Sequence, residues 1–349
     1  MENLKLNETP KRTSRNFNIN NIKLENIEIP EKLEEFKNIE FSKSEGVKIN
    51  NEISNSNLKY GIDRDLENLS NKISNAKLHI ELSEKENELN IKFNQNVDLM
   101  ENIELVANEN TNSKITLKYE AESNLKVLHS GIIRVHAKKN SNVKVNIINF
   151  TNLDSNIFLS IENNIEENAN VEYVIVDFGG KNSLTNYYSN IEGKNANNSL
   201  NTIYLGKNNQ VFDLNYIAEL YGEKSNIDID VQGALKDTAK KHFKGTIDFK
   251  KGCKKATGNE NENCMLLSEK AKSIALPMLL CSEEEVEGNH SSSAGKVGNK
   301  ELFYIMSRGF SKVEAMKLLV RAKFNNILEK IEDEELKAEI IAKIDEGLN

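Results

Sequence analysis

Residues 142–148 read NVKVNII, and residues 170–176 read NVEYVIV, which repeats the same alternation of polar and apolar side chains 28 residues later. Equal steps continue the series with NSLNTIY from Asn198 and NIDIDVQ from Asn226, and KITLKYE from Lys114 opens one step earlier. Period-2 alternation with β-branched and aromatic residues predicts strands. The middle of the chain therefore carries a strand that recurs every 28 residues.

A second strand segment falls about halfway between the members of this series. Its copies are IFLSI from Ile157, TNYYSNI from Thr185 and FDLNYIA from Phe212. A unit of this size is too small to bury its own apolar face, so it must stack on its neighbours. Almost no helical periodicity occurs between residues 80 and 250, which argues against an α/β fold. We predict a flattened parallel β-helix with two strands per coil, and an antiparallel sandwich or barrel is the alternative.

The segments between these strands are rich in Asn, Gly and Lys, as in GKNN from Gly206 and GEKSN from Gly222. Asn and Gly tolerate left-handed backbone angles, and Asn can also hydrogen-bond to its own backbone. We predict that these segments form the corners of the coils.

Both ends of the chain depart from the repeat. In residues 1–75, PEKLEEFKN (30–38) and DRDLENLSNKI (63–73) have helical spacing, which predicts a mixed region that caps the first coil. Residues 76–298 form the predicted β-helix core. Residues 299–349 turn helical: ELFYIMSR ends before Gly309, Ser311 and Glu314 form a capping box, and EELKAEIIAKIDEGL is a last helix. We expect these segments to form a compact three-helix unit.

Composition limits the classes of function. The 349 residues carry 46 basic and 54 acidic side chains, a net charge of −8, with no basic block, so nucleic acid is a poor partner. Neither a signal-peptide core nor the ~18 to 20 apolar residues of a membrane span is visible. Cys253, Cys264 and Cys281 are odd in number and match no zinc or iron–sulfur spacing. We expect a cytoplasmic protein that binds no membrane and has reduced, incidental thiols.

No conventional catalytic motif is present in the sequence. Because carbohydrate-cleaving β-helices use converging carboxylates, Asp228 and Asp230 are the candidates, as they share one strand face. A solvated sheet face explains them better, since half of an exposed strand is polar. Four histidines stand alone in strand-like sequence, where a structural or surface role is the default: His79, His129, His136 and His242.

The fifth histidine, His290, differs in context. It lies in GNHSSSAG, a run of loop-like composition that follows the acidic segment 282–287 (SEEEVE) and precedes the helices. Neighbouring carboxylates would favour both protonation of the imidazole and the approach of a metal cation. From the residues alone, a surface-loop histidine is the better interpretation.

Three segments of the C-terminal half favour a functional role for His290 instead. They are HFKGTIDFKKG (242–252), NENCMLLSEKAKSIALPMLLC (261–281) and GNHSSSAGKVGNKELFYIMSRGFSKVEA (288–315). In them the chain resembles the SufB/SufD family, the scaffold proteins of the SUF iron–sulfur cluster assembly system, and in particular its SufD branch. The resemblance implies a flattened right-handed parallel β-helix between terminal helical regions, which agrees with the 28-residue repeat.

The resemblance also implies the roles of single residues. His290 falls on the SufD histidine at the interface where a nascent cluster forms, so it is a candidate metal ligand shared with a partner chain. Ala271 falls where SufB carries a cysteine. The chain thus resembles the SufD member, which has no sulfur acceptor and binds no stable cofactor alone, with a transient cluster at the partner interface.

The implied partners are a SufC-type ABC ATPase and a SufB-type paralogue, or a second copy of this chain. The ATPase would dock on the C-terminal helical region, where we expect the following neighbourhood, several members of which must also hold the helices together: Leu302, Phe303, Tyr304, Arg308, Val313, Met316 and Leu319. The leading interpretation is a non-catalytic scaffold subunit. A carbohydrate-active β-helix enzyme and a purely protein-binding β-solenoid are the alternatives.

Overall fold

A computed structural model describes residues 4–11, 19–53 and 57–349. In chain order the strands are β1 (Leu4–Leu6), β2 (Ile22–Leu24), β3 (Ile39–Lys43), β4 (Val47–Asn50), β5 (Ala76–Leu82), β6 (Glu86–Gln95), β7 (Leu99–Ala107), β8 (Asn112–Ala121), β9 (Leu128–Ala137), β10 (Asn142–Phe150), β11 (Asn156–Ile165), β12 (Asn170–Asp177), β13 (Asn182–Ile191), β14 (Asn197–Gly206), β15 (Val211–Leu220), β16 (Asn226–Leu235), β17 (Lys240–Phe249), β18 (Thr257–Leu266), β19 (Lys272–Cys281) and β20 (Glu287–Lys296). The helices are α1 (Arg64–Ile73), α2 (Asn299–Met306), α3 (Lys312–Leu328) and α4 (Glu334–Leu348).

The strands confirm the predicted parallel β-solenoid with two strands per coil. Sheet I has nine strands in the order β20-β18-β16-β14-β12-β10-β8-β6-β3, and sheet II has nine in the order β19-β17-β15-β13-β11-β9-β7-β5-β4. Neighbours pair in parallel except at one edge, where β3 and β4 pair antiparallel with β6 and β5. The opposite edges of the two sheets are β20 and β19, so this end of the solenoid is open.

The length of a coil is not constant. Asn142 pairs with Asn170, 28 residues on, but Asn170 pairs with Asn197 rather than with Asn198. A shift of one residue moves a side chain to the other face of the sheet. Asn198 is accordingly buried, where it accepts from the Tyr187 hydroxyl at 2.9 Å. The equal steps of 28 read from the sequence were therefore wrong at this coil.

The corners confirm the predicted role of asparagine. The following four corner residues all have positive φ between 55° and 61°: Asn110, Asn140, Asn168 and Asn195. Their side-chain amides form a ladder from coil to coil with N···O distances of 2.9, 3.1 and 3.0 Å. Lys224 and Lys255 take the same backbone angle, φ 59°, on the later coils. Each corner therefore satisfies its polar groups through the neighbouring coil.

The main apolar core fills the space between the two sheets. It includes aromatic rings in edge-to-face contact, such as Tyr173 with Tyr187 at 5.2 Å and Tyr216 with Phe243 at 5.7 Å between ring centroids. Buried apolar side chains of one coil pack on those of the next, and this is the dominant favourable term in folding. The core continues to the last coils, where Cys253 and Ala256 are fully buried.

The N-terminal region differs from its prediction in one segment. DRDLENLSNKI forms α1 with Asp63 as its N-cap, but PEKLEEFKN is not helical. Leu33 packs toward the cluster on sheet II, whereas Phe36 packs between the sheets near Phe93, 6.2 Å between centroids. A helix would place residues i and i+3 on one face, so an extended chain is needed to reach both clusters.

The N-terminal region also covers the outer face of sheet II. Asn7 donates to Asp213 Oδ1 at 2.6 Å, and Lys244 donates to the Asn7 carbonyl at 2.7 Å. Buried apolar residues of this region pack on outward-facing side chains of sheet II: Leu6, Ile22, Leu24, Ile27, Ile62 and Leu66 against Met100, Leu128, Phe158 and Leu184. Residues 1–3, 12–18 and 54–56 of this region lie outside the described residues.

The three C-terminal helices pack on one another, α2 on α3 and α3 on α4, and Arg321 on α3 binds Asp345 on α4. Helices α3 and α4 also pack on the outer face of sheet I through one shared cluster, which includes Phe324 and Ile340 from the helices and Val174 and Ile203 from the strands. Lys118 on sheet I also binds Glu339 on α4 at 2.6 Å. The capping box of α3 is confirmed, with Ser311 N–H donating to the Glu314 carboxylate at 2.7 Å.

Candidate functional site

The segment GNHSSSAG is a strand rather than the loop that its composition indicates. It belongs to β20, the edge strand of sheet I, which pairs in parallel with β18. Side-chain hydrogen bonds join the two strands on one face: Asn289 to Asn259 at 3.1 Å, Ser291 to Asn261 at 2.8 Å and Ser293 to Asn263 at 2.5 Å. These polar residues form a strand because a neighbouring strand pairs with them, since strand propensity depends on context.

His290 lies on the opposite face of β20, which is turned toward the space between the two sheets. Ser292, two residues later and on the same face, donates to Glu262 Oε2 at 2.8 Å, and Glu262 is fully buried. His290 itself pairs in register with Glu260. It is exposed because β20 is the edge of its sheet, so an inward-facing imidazole is open to an approaching partner.

Glu260 is the most unusual neighbour of His290. Its side chain is 2% exposed, and neither carboxylate oxygen has a hydrogen-bond partner among the described residues. Gly245 on β17 makes room for it, because a Cβ at that position would lie 1.9 Å from Glu260 Oε2. Burial, followed by the charge of Glu262, raises the pKa of Glu260 to about 8.

Glu262, by contrast, is fully satisfied in the same strand. Its Oε1 accepts from Lys241 Nζ at 2.6 Å, and both side chains are 0% exposed. Two residues later on the same face, burial raises the pKa of the Cys264 thiol. We call the inward-facing group of the last coils the terminal-coil cluster, which comprises Lys241, Glu260, Glu262, Cys264, His290 and Ser292.

Sequence reasoning found His290 but missed the charged members of this cluster. Lys241, Glu260 and Glu262 read as ordinary polar residues of alternating strands. The available signal was NENENCM, in which two glutamates share a strand face with Cys264. That alternation shows a common face, but which face is inward depends on the pairing of β18 with its neighbours.

Ala271 and the cysteines Cys253 and Cys281 make no hydrogen bond with His290 among the contacts of the described residues. Ala271 is buried in the turn between β18 and β19, and its N–H donates to the Ser268 carbonyl at 3.3 Å. Cys253 is buried, which raises the pKa of its thiol to about 11, whereas Cys281 is exposed. The thiols are free, and no thiolate occupies the Ala271 position.

The seven residues of the expected docking neighbourhood are all at least partly accessible. Phe303 is 73% exposed and Tyr304 59%, Val313 and Arg308 are also exposed, and Leu302, Met316 and Leu319 are half-buried. The Arg308 guanidinium lies over the Tyr304 ring at 5.0 Å. Large exposed apolar side chains gather here, and we call them the α2–α3 apolar patch: Phe303, Tyr304, Met306, Phe310, Val313 and Leu318.

The remaining histidines each have a carboxylate neighbour. His79 and His136 contact the two oxygens of Glu104 at 2.8 and 3.3 Å, and fully buried His129 contacts Glu101 at 3.1 Å. These contacts supply what the sequence did not show, and they fit the structural role expected of these residues. His242 likewise lies 3.6 Å from Asp213.

Asp228 and Asp230 lie on the outer face of sheet I, where Asn259 and Asn261 on β18 donate to them at 2.8 and 3.0 Å. They belong to the same amide ladder that continues into β20. This arrangement matches the solvated sheet face that we preferred for them.

The terminal-coil cluster offers an imidazole and carboxylates, which are ligand types that suit iron. Within the described ranges, no three His, Cys, Asp or Glu side chains are placed to hold a metal ion together. No helix in the same ranges is long and apolar enough to cross a membrane.

Comparison with known proteins points to one system. The model of the family described as "SUF system FeS cluster assembly, SufBD core domain" matches residues 90–323. The iron-sulfur cluster assembly protein SufD of Bacillus subtilis is 26% identical over 177 residues, covering 51% of this chain and 40% of that protein. A SufBD family iron-sulfur cluster assembly protein of Staphylococcus saprophyticus is 26% identical over 197 residues, covering 55% of this chain and 42% of that protein.

The matched segments thus span about two fifths of the length of these relatives. The family match includes most of the solenoid, His290 and the α2–α3 apolar patch. It covers well over half of the chain, and the β-solenoid has the architecture that the resemblance implied. The chain therefore belongs to the SufB/SufD family of the SUF iron–sulfur cluster assembly system and is SufD-like.

Proposed function

We propose that this chain is a non-catalytic scaffold subunit of a SufBCD-type complex, in which His290 supplies one ligand at the surface where a cluster is assembled. The position of His290 carries the proposal: it is the inward-facing, exposed imidazole of the edge strand β20. A scaffold of this kind binds its cargo transiently and holds no stable cofactor alone.

A SufB-type paralogue is the partner we propose at the open end. The edges of β19 and β20 present backbone groups that another sheet can pair with, and exposed edges favour such pairing. The paralogue would supply the thiolate that Ala271 cannot. A second copy of this chain is the alternative occupant, but it would bring another imidazole and no cysteine at that position.

The α2–α3 apolar patch is the proposed docking site of a SufC-type ABC ATPase. Exposed clusters of aromatic and large aliphatic side chains are typical of protein interfaces. The patch lies directly after β20 in the chain, so movement of an ATPase bound there can act on the strand that carries His290. We place the complex in the cytoplasm, where free thiols such as those of this chain stay reduced.

Replacing His290 with alanine tests the proposal. In the reconstituted complex, His290→Ala should reduce the yield of assembled cluster by at least about tenfold while the complex stays intact, because one metal ligand is lost. Cluster yield is measured by absorbance and iron content, and assembly by size-exclusion chromatography. His136→Ala is the control, since that partly exposed imidazole lies on sheet II away from β20. Unchanged yield in His290→Ala would contradict the proposal.

A second variant tests docking of the ATPase. Val313→Asp places a charge in the α2–α3 apolar patch and should abolish co-purification of the ATPase without unfolding the chain, because Val313 is 45% exposed. Ala322→Asp, at an exposed position further along α3 and outside the patch, should leave co-purification unchanged. Equal binding by the Val313 variant would show that the ATPase docks elsewhere.

The two alternatives make different predictions. A carbohydrate-active enzyme needs converging carboxylates, but Asp228 and Asp230 accept hydrogen bonds from the amide ladder of sheet I. A purely protein-binding solenoid predicts no effect of His290→Ala on cluster yield and no ATPase partner. The two variants therefore separate the scaffold function from both alternatives, and the hydrogen-bonded position of Asp228 and Asp230 argues separately against the enzyme.

A further inference from the structure

Glu260 is a buried carboxyl group for which the structure provides no internal partner. Both of its oxygens are inaccessible to solvent and lack hydrogen bonds among the described residues. A buried ionisable group without a partner is costly, and such groups are normally paired or bound to a metal. Its counterpart two residues later shows the usual solution, since Glu262 is bound by Lys241 and Ser292.

The surroundings of Glu260 keep this space free. Gly245 lies opposite, and any side chain there would collide with the carboxyl group. On one flanking strand the register partner is Ile229, which is apolar, and on the other it is His290. Of the two register partners, His290 is thus the one that can bind the same ion as Glu260.

Register and face bring the two groups together. Adjacent strands lie about 4.8 Å apart, and register partners in a parallel pair project from the same face. The hydrogen bond from Ser292 to Glu262 establishes that this face of β20 is the inward one. An imidazole and a carboxylate so placed can bind one ion, while the open edge beyond His290 leaves room for ligands from a partner.

We propose that Glu260 and His290 together form one half of a divalent-cation site, which receives ferrous iron as cargo at the open end of the solenoid. The inference rests on the proposed function, because the remaining ligands come from the partner at that end. Imidazole nitrogen and carboxylate oxygen are ligands that Fe²⁺ takes in proteins. The cation displaces the proton that the buried Glu260 holds, so that Glu260 adds an anionic ligand that a lone histidine lacks, and the bound cation supplies the partner that Glu260 is missing.

Cobalt titration of the full-length chain tests this site. Co²⁺ is added to wild-type protein under conditions where the thiols stay reduced, and binding is followed by its visible absorption and by paramagnetic shifts of the His290 ring protons. We expect saturable binding at His290 and a loss of at least about tenfold in affinity for both Glu260→Gln and His290→Ala. Glu260→Gln keeps the shape of the side chain and removes its charge, and urea unfolding verifies that each variant is folded.

The matched control is Glu287→Gln, the same substitution on β20 but on the outward face next to Asn289. It should bind Co²⁺ as wild type does. Absence of saturable binding to wild type, or wild-type affinity in Glu260→Gln, overturns the cation site.

Cluster yield in the reconstituted complex separates this inference from the proposed function. If His290→Ala lowers the yield but Glu260→Gln changes neither yield nor Co²⁺ affinity, the result supports the scaffold function and contradicts the site formed by Glu260 and His290. If both variants lose affinity for Co²⁺ but neither lowers the yield, the result supports the cation site and contradicts the scaffold role of His290.

Discussion

At the scale of single residues, His290 shows why a site in a solenoid is hard to read from a sequence. Its nearest charged register partner is Glu260, 30 residues earlier in the chain. No local spacing marks that pair, because partners one coil apart are separated by the whole length of a coil. The charged residues close to His290 in the sequence are those of the acidic run 282–287, whereas its register partner in the structure is Glu260 in NENENCM.

Asp177 provides a test of a buried carboxyl group away from the cluster. It is buried between an amide of Asn149 at 2.7 Å and the hydroxyl of Ser183 at 2.7 Å. Burial raises the pKa of Asp177 from 3.8 to about 6. Between these values the folded state holds a proton that the unfolded state has released, so the contribution of this group is full below pH 4 and is lost as the pH rises through 6.

We therefore expect Asp177→Asn to change the pH dependence of stability. Between pH 4 and pH 7, the free energy of unfolding of wild type should fall by up to about 3 kcal/mol relative to the variant, since each pKa unit corresponds to about 1.4 kcal/mol. Urea unfolding of both proteins at several pH values measures the difference. Parallel pH profiles would show that the carboxyl group does not titrate in this range.

At the scale of elements, the corners were predicted correctly because the backbone angle of a corner depends on the residue at that position. Asn is among the few residues that adopt left-handed backbone angles at low cost, and the corner asparagines of four coils do so. The ladder that joins them depends on stacking, which the sequence shows only as a repeat. Mutation can separate what the backbone angle and the side-chain ladder each contribute to the free energy of unfolding.

Asn168→Ala should destabilise the protein by about 1–2 kcal/mol, because alanine must hold φ 56° and two ladder hydrogen bonds are lost. Asn168→Gly loses the same hydrogen bonds but adopts the angle freely, so it should cost less. Thermal or urea unfolding compares the two variants. An equal loss in both would assign the whole effect to the ladder and none to the backbone angle.

The two elements that were predicted wrongly are both determined by their neighbours. PEKLEEFKN has helical spacing, but Leu33 and Phe36 are needed in different clusters. GNHSSSAG has loop composition, but its side chains complete the ladder of β18 and its backbone pairs as a strand. Local pattern cannot overrule such tertiary demands when the segment is short.

At the scale of the whole molecule, the ends of the chain fold back onto the two outer faces of the solenoid. The N-terminal region covers part of sheet II, and α3 and α4 cover part of sheet I. In the N-terminal region, β3 and β4 also pair with β6 and β5 at one edge of each sheet, and the C-terminal helices add a layer on sheet I. Helices α3 and α4 bury apolar side chains both against each other and against the strands.

This arrangement predicts that α3 contributes strongly to the stability of the protein. Phe324→Ala should lower the free energy of unfolding by about 3–5 kcal/mol, because Phe324 is 0% exposed in the cluster shared with sheet I. Phe303→Ala, at a 73% exposed position on α2, should change it by no more than about 0.5 kcal/mol. Urea unfolding distinguishes them, and a small effect of Phe324→Ala would show that the helices pack independently of the solenoid.

Local sequence patterns are enough to predict the class of the fold, most of the strands, the corners and the starts of the last helices. Each of these follows from alternation, backbone preference or capping within a few residues of the chain, as at Ser311 and Asp333. The resemblance in the C-terminal half added the family and directed attention to His290.

Which residues contact one another depends on the register between neighbouring coils. Side-chain pairs between neighbouring coils lie 25 to 31 residues apart, and a change of one residue turns a side chain from the core to the solvent. The register therefore had to be known before Glu260 could be placed beside His290, or Asn198 inside the core. The contacts between coils form only when the coils stack on one another. The neighbours of His290 therefore follow from the assembled solenoid and not from any single segment of the chain.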